Sequence, residues 1–362
     1  MAKRTGIHPI ADREDFIVVY PYGVDGQWND GRGKTFRRAD DNTGVDDVGF
    51  IAAILDELTR LGNADPRRIY VVGLSNGGMM TYRLGIELGD RLTAIAAIIA
   101  NLPANLAHKK PIRPLPVLIM NGTADPMMPW DGGAVRVLGK AYGEVLSTAA
   151  TVKYWVEAAG LTGPTETRKV ADRSPDDSST VEIEVYRKPQ GSLEVVLYKI
   201  VGGGHNLPGG QTPDRPRLLG PKNMDINGME EVWAFFKKHT PELAAEQPKT
   251  ASNQTPKIEP VGDPKANYLN VEFTADGRYM VWFEGLDGSS DKGIVWHCGV
   301  DPKSGNLIPS LACRLHPMLG GGQSILLFFQ NARKGLSSLF RTSAPPARVP
   351  VSTATRGWNC NT

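Results

Sequence analysis

The sequence predicts an α/β fold with a doubly wound, mostly parallel sheet. Two observations carry this prediction: apolar runs of strand character recur along the first 240 residues, and amphipathic helical segments lie between them. Strands that alternate with helices typically build such a sheet. The strand-like runs are 16–20, 69–72, 94–100, 117–120, 181–186 and 193–201.

Three helices are clearly marked between or after these runs. The first has Asp46 or Asp47 as its N-cap and an apolar stripe at helical spacing. The second follows a Ser147 cap. The third begins near Asp225, carries two lysines in its last turn and is followed by Pro241, which cannot continue a helix. The predicted catalytic domain therefore spans residues 1–240.

Composition excludes several classes of function. The chain has 362 residues, with 41 Lys and Arg against 39 Asp and Glu, so no charge excess points to nucleic acid or an anionic membrane. No apolar run approaches the roughly 18 residues of a membrane span. The first residues are basic but lack the apolar stretch of a signal peptide, which favours the cytoplasm for the chain as written.

One stretch carries the strongest chemical signal. The run 69–72 leads directly into Gly73-Leu-Ser75-Asn-Gly77, and the residues from Met79 onward have helical character. A serine flanked by glycines between strand and helix is typical of a nucleophile elbow, a turn so tight that its neighbours must be small. The plain alternative is a glycine-rich turn at the end of a core strand, and the pentapeptide alone does not decide between them.

Two further strand ends supply partners for such a serine. Asp125 follows the run 117–120, and His205 follows the run 193–201 after three glycines. In parallel sheets the chemistry lies at the carboxyl ends of strands, and the order Ser, Asp, His is that of a hydrolase triad. Each residue also has an ordinary interpretation, Asp125 as a turn initiator and His205 as a loop residue, but the three together in this order favour catalysis.

Six segments make the chain resemble a family of α/β-hydrolase esterases that includes polyhydroxybutyrate depolymerases, feruloyl esterases and acetyl-xylan esterases. Their order and spacing fit over roughly residues 5–240. The segments are V-V-Y-P-Y-G-V (18–24), W-N-D-G-R (28–32), D-D-V-G-F-I (46–51), G-L-S-N-G-G-M-M (73–80), N-G-T-A-D-P (121–126) and G-G-G-H-N-L-P-G-G (202–210).

The resemblance implies roles for particular residues. Ser75 would be the nucleophile, His205 the base, Asp125 the orienting acid, and the backbone N–H of Asn76 an oxyanion donor. The substrate would be a small or polymeric ester, and neither cofactor nor metal would be needed. Relatives in this family are often secreted, so localisation stays open. The predicted pocket walls, chosen because they flank the motifs, are Trp28, Met79, Met127, Trp130 and Leu207.

The chain departs from the family at its beginning. Relatives have earlier strands and a His-Gly loop that donates the second oxyanion N–H, and no His-Gly-x-Gly-like segment precedes Phe16. We therefore expect a truncated core with one unpaired sheet edge. One oxyanion donor contributes about 2.7–4 kcal/mol to lowering the barrier, so its absence would impair catalysis.

The character of the chain changes after residue 240. Residues 241–265 are rich in proline and predict a linker, 266–340 hold several strand-like runs, and 341–362 predict a disordered tail. Two turns in the middle part resemble those of TolB-like propeller blades, although too little chain is present to close a propeller. We expect these strands to form a separate appendage that is dispensable for the chemistry; the alternative is that one of them pairs with the sheet edge near 16–20.

The three cysteines, Cys298, Cys313 and Cys360, all lie in this last part and leave the redox compartment undecided. His297 beside Cys298 has no partner at ligand spacing, so a packed strand pair is favoured over a metal site.

The sequence as a whole predicts a serine carboxylic-ester hydrolase, with polyhydroxyalkanoate, feruloyl or related esters as substrates. The alternative is an impaired hydrolase or a non-catalytic binding protein that uses the C-terminal strands.

Overall fold

The computed structural model describes residues 5–21, 23, 26–34, 44–60, 65–211 and 215–241, together with six strands between residues 267 and 330. For the strands between 267 and 315 it describes the backbone only. The predicted linker from 242 onward, the predicted tail and Cys360 lie outside the described residues. No helix of the described part is long and apolar enough to cross a membrane.

An eight-stranded sheet forms the centre of the fold. Its strands are β1 (Phe16–Val19), β2 (Ile69–Leu74), β3 (Ala94–Ile98), β4 (Val117–Gly122), β7 (Glu166–Lys169), β8 (Thr180–Arg187), β9 (Glu194–Val201) and β15 (Ile325–Gln330). Their order in the sheet is β1-β15-β2-β3-β4-β9-β8-β7.

The sheet is mixed rather than mostly parallel. Strands β2, β3, β4 and β9 are parallel neighbours. The run β9-β8-β7 is antiparallel because short connections join these strands. At the other side, β15 is antiparallel to both β1 and β2. The α/β class predicted from the sequence is confirmed.

Helices cover both faces of this sheet. In the part of the chain that the structure describes, the helices are α1 (Ile7–Glu14), α2 (Asp47–Arg60), α3 (Asn76–Glu87), α4 (Thr148–Ala158), a short α5 (Pro216–Leu219) and α6 (Gly228–Lys238). One apolar cluster unites α2, α3 and α4 with alternate strand residues, and a second unites α1 and α6 with the others. The sheet is therefore buried on both sides, as a doubly wound fold requires.

Local capping explains where the predicted helices begin. Asp46 accepts a hydrogen bond from the Gly49 N–H at 2.8 Å, and Ser147 accepts one from the Ala150 N–H at 3.0 Å. The last helix begins at Gly228, close to the predicted start near Asp225, and its N-cap is Asn227. Asp225 instead accepts hydrogen bonds from the backbone of Arg173 and Ser174, which holds a neighbouring loop.

Strand β15 is a central strand of the main sheet, although the sequence grouped it with the C-terminal segment. It lies between β1 and β2, with Ile325 opposite Gly73 and Val19 opposite Leu327. Its alternate side chains enter the two apolar clusters, and residues 325–329 are all 0% exposed. Strand β15 therefore pairs with the sheet edge at Phe16–Val19, which was the alternative arrangement, and it is not part of a separate appendage. The domain boundaries stay a prediction.

Two smaller sheets complete the described strands. β5 (Gly133–Val137) and β6 (Lys140–Val145) form a hairpin that follows the loop after β4. The strands of the other sheet are β10 (Asn267–Phe273), β11 (Tyr279–Gly285), β12 (Gly293–Val300), β13 (Leu307–Ile308) and β14 (Ala312–Leu315). Their order is β10-β11-β12-β13, and β14 also pairs with β12.

Candidate active site

Ser75 lies in the sharp turn between β2 and α3. Its backbone has φ 56° and ψ −120°, a left-handed conformation that costs a non-glycine residue on the order of 1–3 kcal/mol. The turn closes tightly, because a Cβ on Gly73 would lie 2.1 Å from the Gly77 carbonyl oxygen. Glycine is therefore required at position 73 for the turn to form, as a nucleophile elbow demands.

Asp125 follows β4 and is held by its own loop. Its Oδ1 accepts hydrogen bonds from the N–H groups of Met127 and Met128, both at 2.8 Å. These two bonds leave Oδ2 as the free oxygen, and it lies 2.7 Å from Nδ1 of His205. The carboxylate is thus fixed in orientation before it meets the imidazole.

His205 follows β9 on a loop that only glycines can build. Gly202 has φ +77°, and a Cβ on Gly204 would lie 2.0 Å from the Leu219 carbonyl oxygen. That same carbonyl accepts the His205 backbone N–H, so the loop packs closely against the end of α5. The Gly-Gly-Gly run is therefore a closely packed turn.

The three side chains form one continuous hydrogen-bonded chain. His205 Nε2 lies 2.9 Å from Ser75 Oγ, and the side chains of His205 and Asp125 are 9% and 1% exposed. A carboxylate can only accept, so the imidazole proton resides on Nδ1 and Nε2 is left to accept from the serine hydroxyl. This is the protonation pattern that general-base activation of a serine needs.

Asn76 is the first residue of α3 and is fully buried. Its backbone N–H directly follows the serine, at the helix end where the macrodipole favours negative charge. Its side chain points elsewhere: Oδ1 accepts from the Trp28 N–H at 2.7 Å, and Nδ2 donates to the Trp28 carbonyl at 3.0 Å. The amide side chain thus joins the elbow to the segment that contains Trp28.

The predicted pocket residues divide into two groups. Trp28, Met79 and Leu207 are 0–4% exposed and pack in the core, the last of them on the opposite face from the other two. Core packing against neighbouring elements thus explains why motif residues of this type are apolar. Met127 and Trp130 are half-buried on the loop beyond Asp125, and these two stay as predicted pocket walls.

Sequence reasoning missed Asp30 and Arg32, which form a buried ion pair against Asn76. The signal was present in the W-N-D-G-R segment, from which only Trp28 was selected. Within the described residues, no group of three His, Cys, Asp or Glu side chains is arranged to hold a metal ion.

Comparison with known proteins agrees with this architecture. A family model described as the prolyl oligopeptidase family matches residues 7–100, a segment that contains β1, β2 and the elbow. An α/β sheet with a serine elbow after one of its parallel strands defines the α/β-hydrolase class. The chain is therefore an α/β-hydrolase.

Three relatives are esterases by name. "Putative esterase NocK" from Nocardia uniformis subsp. tsuyamanensis is 33% identical over 65% of this chain and 69% of its own length. "Feruloyl esterase B" from Piromyces equi is 31% identical over 45% of this chain and 29% of its own length. The bifunctional acetylxylan esterase/xylanase XynS20E from Neocallimastix patriciarum is 31% identical over 33% of this chain and 16% of its own length.

The chain belongs to the esterase family that includes NocK, and it is accordingly a carboxylic ester hydrolase. This confirms the resemblance to esterases that the motifs indicated. The likeness of the C-terminal strands to propeller blades is not tested by these relatives.

Proposed function

We propose that this chain hydrolyses carboxylic esters through an acyl-enzyme, with Ser75 as nucleophile, His205 as general base and Asp125 as the orienting acid. The observation that carries the proposal is the hydrogen-bonded chain from Ser75 Oγ through the imidazole to the Asp125 carboxylate, with distances of 2.9 and 2.7 Å. Both distances are within the reach that proton transfer requires.

In the first half-reaction, Ser75 Oγ attacks the ester carbonyl while Nε2 of His205 takes the hydroxyl proton. The carbonyl oxygen gains the negative charge of a tetrahedral intermediate, and the Asn76 backbone N–H stabilises it. As the intermediate collapses, the imidazolium returns the proton to the leaving alkoxide, and an alcohol departs. The Asp125 carboxylate stabilises the transient imidazolium.

In the second half-reaction, water replaces the serine as nucleophile. His205 takes a proton from the water as its oxygen attacks the acyl carbon, and the same oxyanion position is occupied again. Collapse breaks the bond to Ser75 Oγ, which recovers the proton from the imidazolium. The products of this step are a carboxylic acid and the regenerated serine, so the proposed reaction consumes only the ester and water.

Relatives and motifs support two substrate classes. Two of the relatives are a feruloyl esterase and an acetylxylan esterase by name, which supports esters attached to plant polysaccharide as one substrate class. The motifs shared with polyhydroxybutyrate depolymerases support polyhydroxyalkanoate esters as another. Half-buried Met127 and Trp130 beside Asp125 would offer an apolar contact to the acyl chain.

The test is turnover of p-nitrophenyl acetate and butyrate by wild type, Ser75→Ala and His205→Ala. Because nucleophile and base act as a unit, we expect each variant to lose at least about 10⁴-fold in kcat, with Asp125→Asn less severely affected. A matched control is Ser147→Ala, which removes a serine that only caps α4. Unchanged turnover in Ser75→Ala would show that the assignment is wrong.

The same assay distinguishes the alternatives. Equal activity on an acyl p-nitroanilide would favour a peptidase, in line with the family model over residues 7–100. Absence of Ser75-dependent turnover, together with no labelling of Ser75 by a fluorophosphonate, would favour the non-catalytic protein. We expect the ester to be the better substrate, because the relatives that match over longer stretches are esterases.

A further inference from the structure

The loop of residues 27–32 contacts the elbow through a buried polar network. Asn76 is its meeting point: besides the two bonds to the Trp28 backbone, its Nδ2 donates to Oδ2 of Asp30. All three residues are at most 1% exposed. The residue that follows the nucleophile is thus held by its side chain from a loop more than forty positions earlier in the chain.

Asp30 is held in turn by Arg32. The guanidinium donates from Nε to both carboxylate oxygens at 3.1 and 3.0 Å, and from Nη2 to Oδ2 at 2.7 Å. The two side chains are 3% and 1% exposed. The remaining Nη1 donates to the Tyr142 carbonyl at 2.8 Å, which connects the pair to the hairpin strand β6.

The other side of the loop is held by two helices. The Asn29 N–H donates to Asp47 at the start of α2 at 2.6 Å, and Arg83 of α3 donates to the Asn29 carbonyl at 2.7 Å. The loop is therefore fixed at α2, at α3 and at the hairpin. Because the loop is fixed at these points, it can hold the peptide unit that carries the Asn76 N–H in one orientation.

General stability does not by itself explain a buried ion pair at this place. Burying two charges costs desolvation, and an apolar replacement is often as stable. The geometry of the elbow gives another reason for the ion pair. The Ser75 backbone is strained, and such a conformation persists only where the surrounding contacts hold it in place. An oxyanion donor must also point at the developing charge in advance, and small misplacements reduce its effect.

We propose that Asp30 and Arg32 are positioning residues for the oxyanion donor, acting through the Asn76 side chain; this rests on the proposed function of Ser75 and Asn76. Asp30 and the Trp28 backbone fix the Asn76 amide, and this orients the peptide N–H that follows the nucleophile. Arg32 holds the carboxylate and neutralises it, so that no unpaired negative charge lies beside the site where the oxyanion forms.

The experiment compares Asp30→Asn with a matched control, Asp65→Asn. Asp65 pairs with Arg68 at 3.0 Å, and both side chains are 5–6% exposed, but the pair precedes β2 while Ser75 follows it. Each variant removes one carboxylate from a buried pair with arginine. The readouts are kcat and KM on p-nitrophenyl acetate, the same constants on the corresponding thionoester, melting temperature and fluorophosphonate titration of Ser75.

We expect Asp30→Asn to lower kcat by about ten- to a hundredfold, less than the 10²–10³ of a lost oxyanion donor, with little change in KM. Sulfur accepts hydrogen bonds weakly, so the thionoester should lose much less, and the rate ratio of ester to thionoester should fall. Asp65→Asn should lower the melting temperature without changing this ratio. If Asp30→Asn does not fold, Asn76→Ala tests the same connection from the other side.

Two results would overturn the proposal. The first is an unchanged kcat in folded Asp30→Asn. The second is an equal loss on ester and thionoester, which would mean general damage to the site. Failure of the proposed function is recognised separately, since Ser75→Ala would then retain the turnover of the wild type whatever Asp30→Asn does.

Discussion

Strand β2 has two neighbours in the main sheet, β3 and β15, and the two have different roles. On one side it pairs in parallel with β3, and the parallel series continues through β4 and β9. On the other side it pairs antiparallel with β15, a strand that lies some 250 residues further along the chain. The candidate catalytic residues follow strands on the β3 side, whereas β15 on the other side adds to the hydrophobic core.

The difference follows from strand direction. Ser75, Asp125 and His205 each follow a strand of the parallel series, and the carboxyl ends of parallel strands meet at one edge. β15 runs the other way, and its residues 325–329 contribute buried apolar side chains to both faces of the sheet. The candidate catalytic residues therefore depend on strands and helices that alternate along the chain. The core at the other side of β2 depends only on a strand with a suitable apolar pattern.

The largest expected effect is that of removing β15. A chain that ends at Thr240 would leave β1 without its neighbour and one edge of β2 unpaired, with residues packed at 0% exposure lost from both clusters. We expect it not to fold cooperatively, as judged by circular dichroism and denaturant unfolding.

A chain that ends at Ala332 is the control, because it keeps β15 and removes only residues 333–362. We expect this shorter chain to keep its melting transition and its esterase activity. Cooperative unfolding of the chain ending at Thr240, with unchanged melting temperature, would show that β15 is not needed for the core.

A smaller effect is expected from one side chain of β15. The Phe328 ring lies 5.1 Å from that of Phe16 and 5.6 Å from that of Phe236, and Phe328 is 0% exposed. Truncation of a buried phenylalanine costs about 3–5 kcal/mol, so Phe328→Ala should lower the free energy of unfolding by that amount in urea titrations. Leu138→Ala at a 73% exposed position is the control, and equal effects for the two would contradict the assignment.

The smallest expected effect concerns strain at the elbow. At φ 56°, Ser75 is in a conformation that glycine tolerates better than any other residue. Ser75→Gly should therefore be about 1–2 kcal/mol more stable than Ser75→Ala, within the range stored at such positions, while both variants are inactive. Thermal unfolding of the two measures this difference, and a Ser75→Gly protein less stable than Ser75→Ala would mean that the turn is not strained.

Local pattern was enough to predict three side chains that the structure brings together, those of Ser75, Asp125 and His205. A serine between glycines, after an apolar strand and before a helix, has few structural solutions. Asp125 and His205 could be placed because each directly follows a buried strand, and parallel strands bring such positions to one edge. The α/β class and the helix starts at Asp46 and Ser147 came from the same kind of short-range evidence.

Tertiary structure decided what depends on distant partners. The pattern at 325–330 predicts an apolar strand but not its neighbours, because hydrogen bonding in a sheet is the same for any suitable edge. The position of this strand between β1 and β2 is set by three-dimensional packing. In the same way, Trp28 reads as a pocket wall in sequence, yet its backbone binds Asn76 and its ring is buried. A residue's partner across the core is set by packing and by loop geometry, which a linear pattern does not contain.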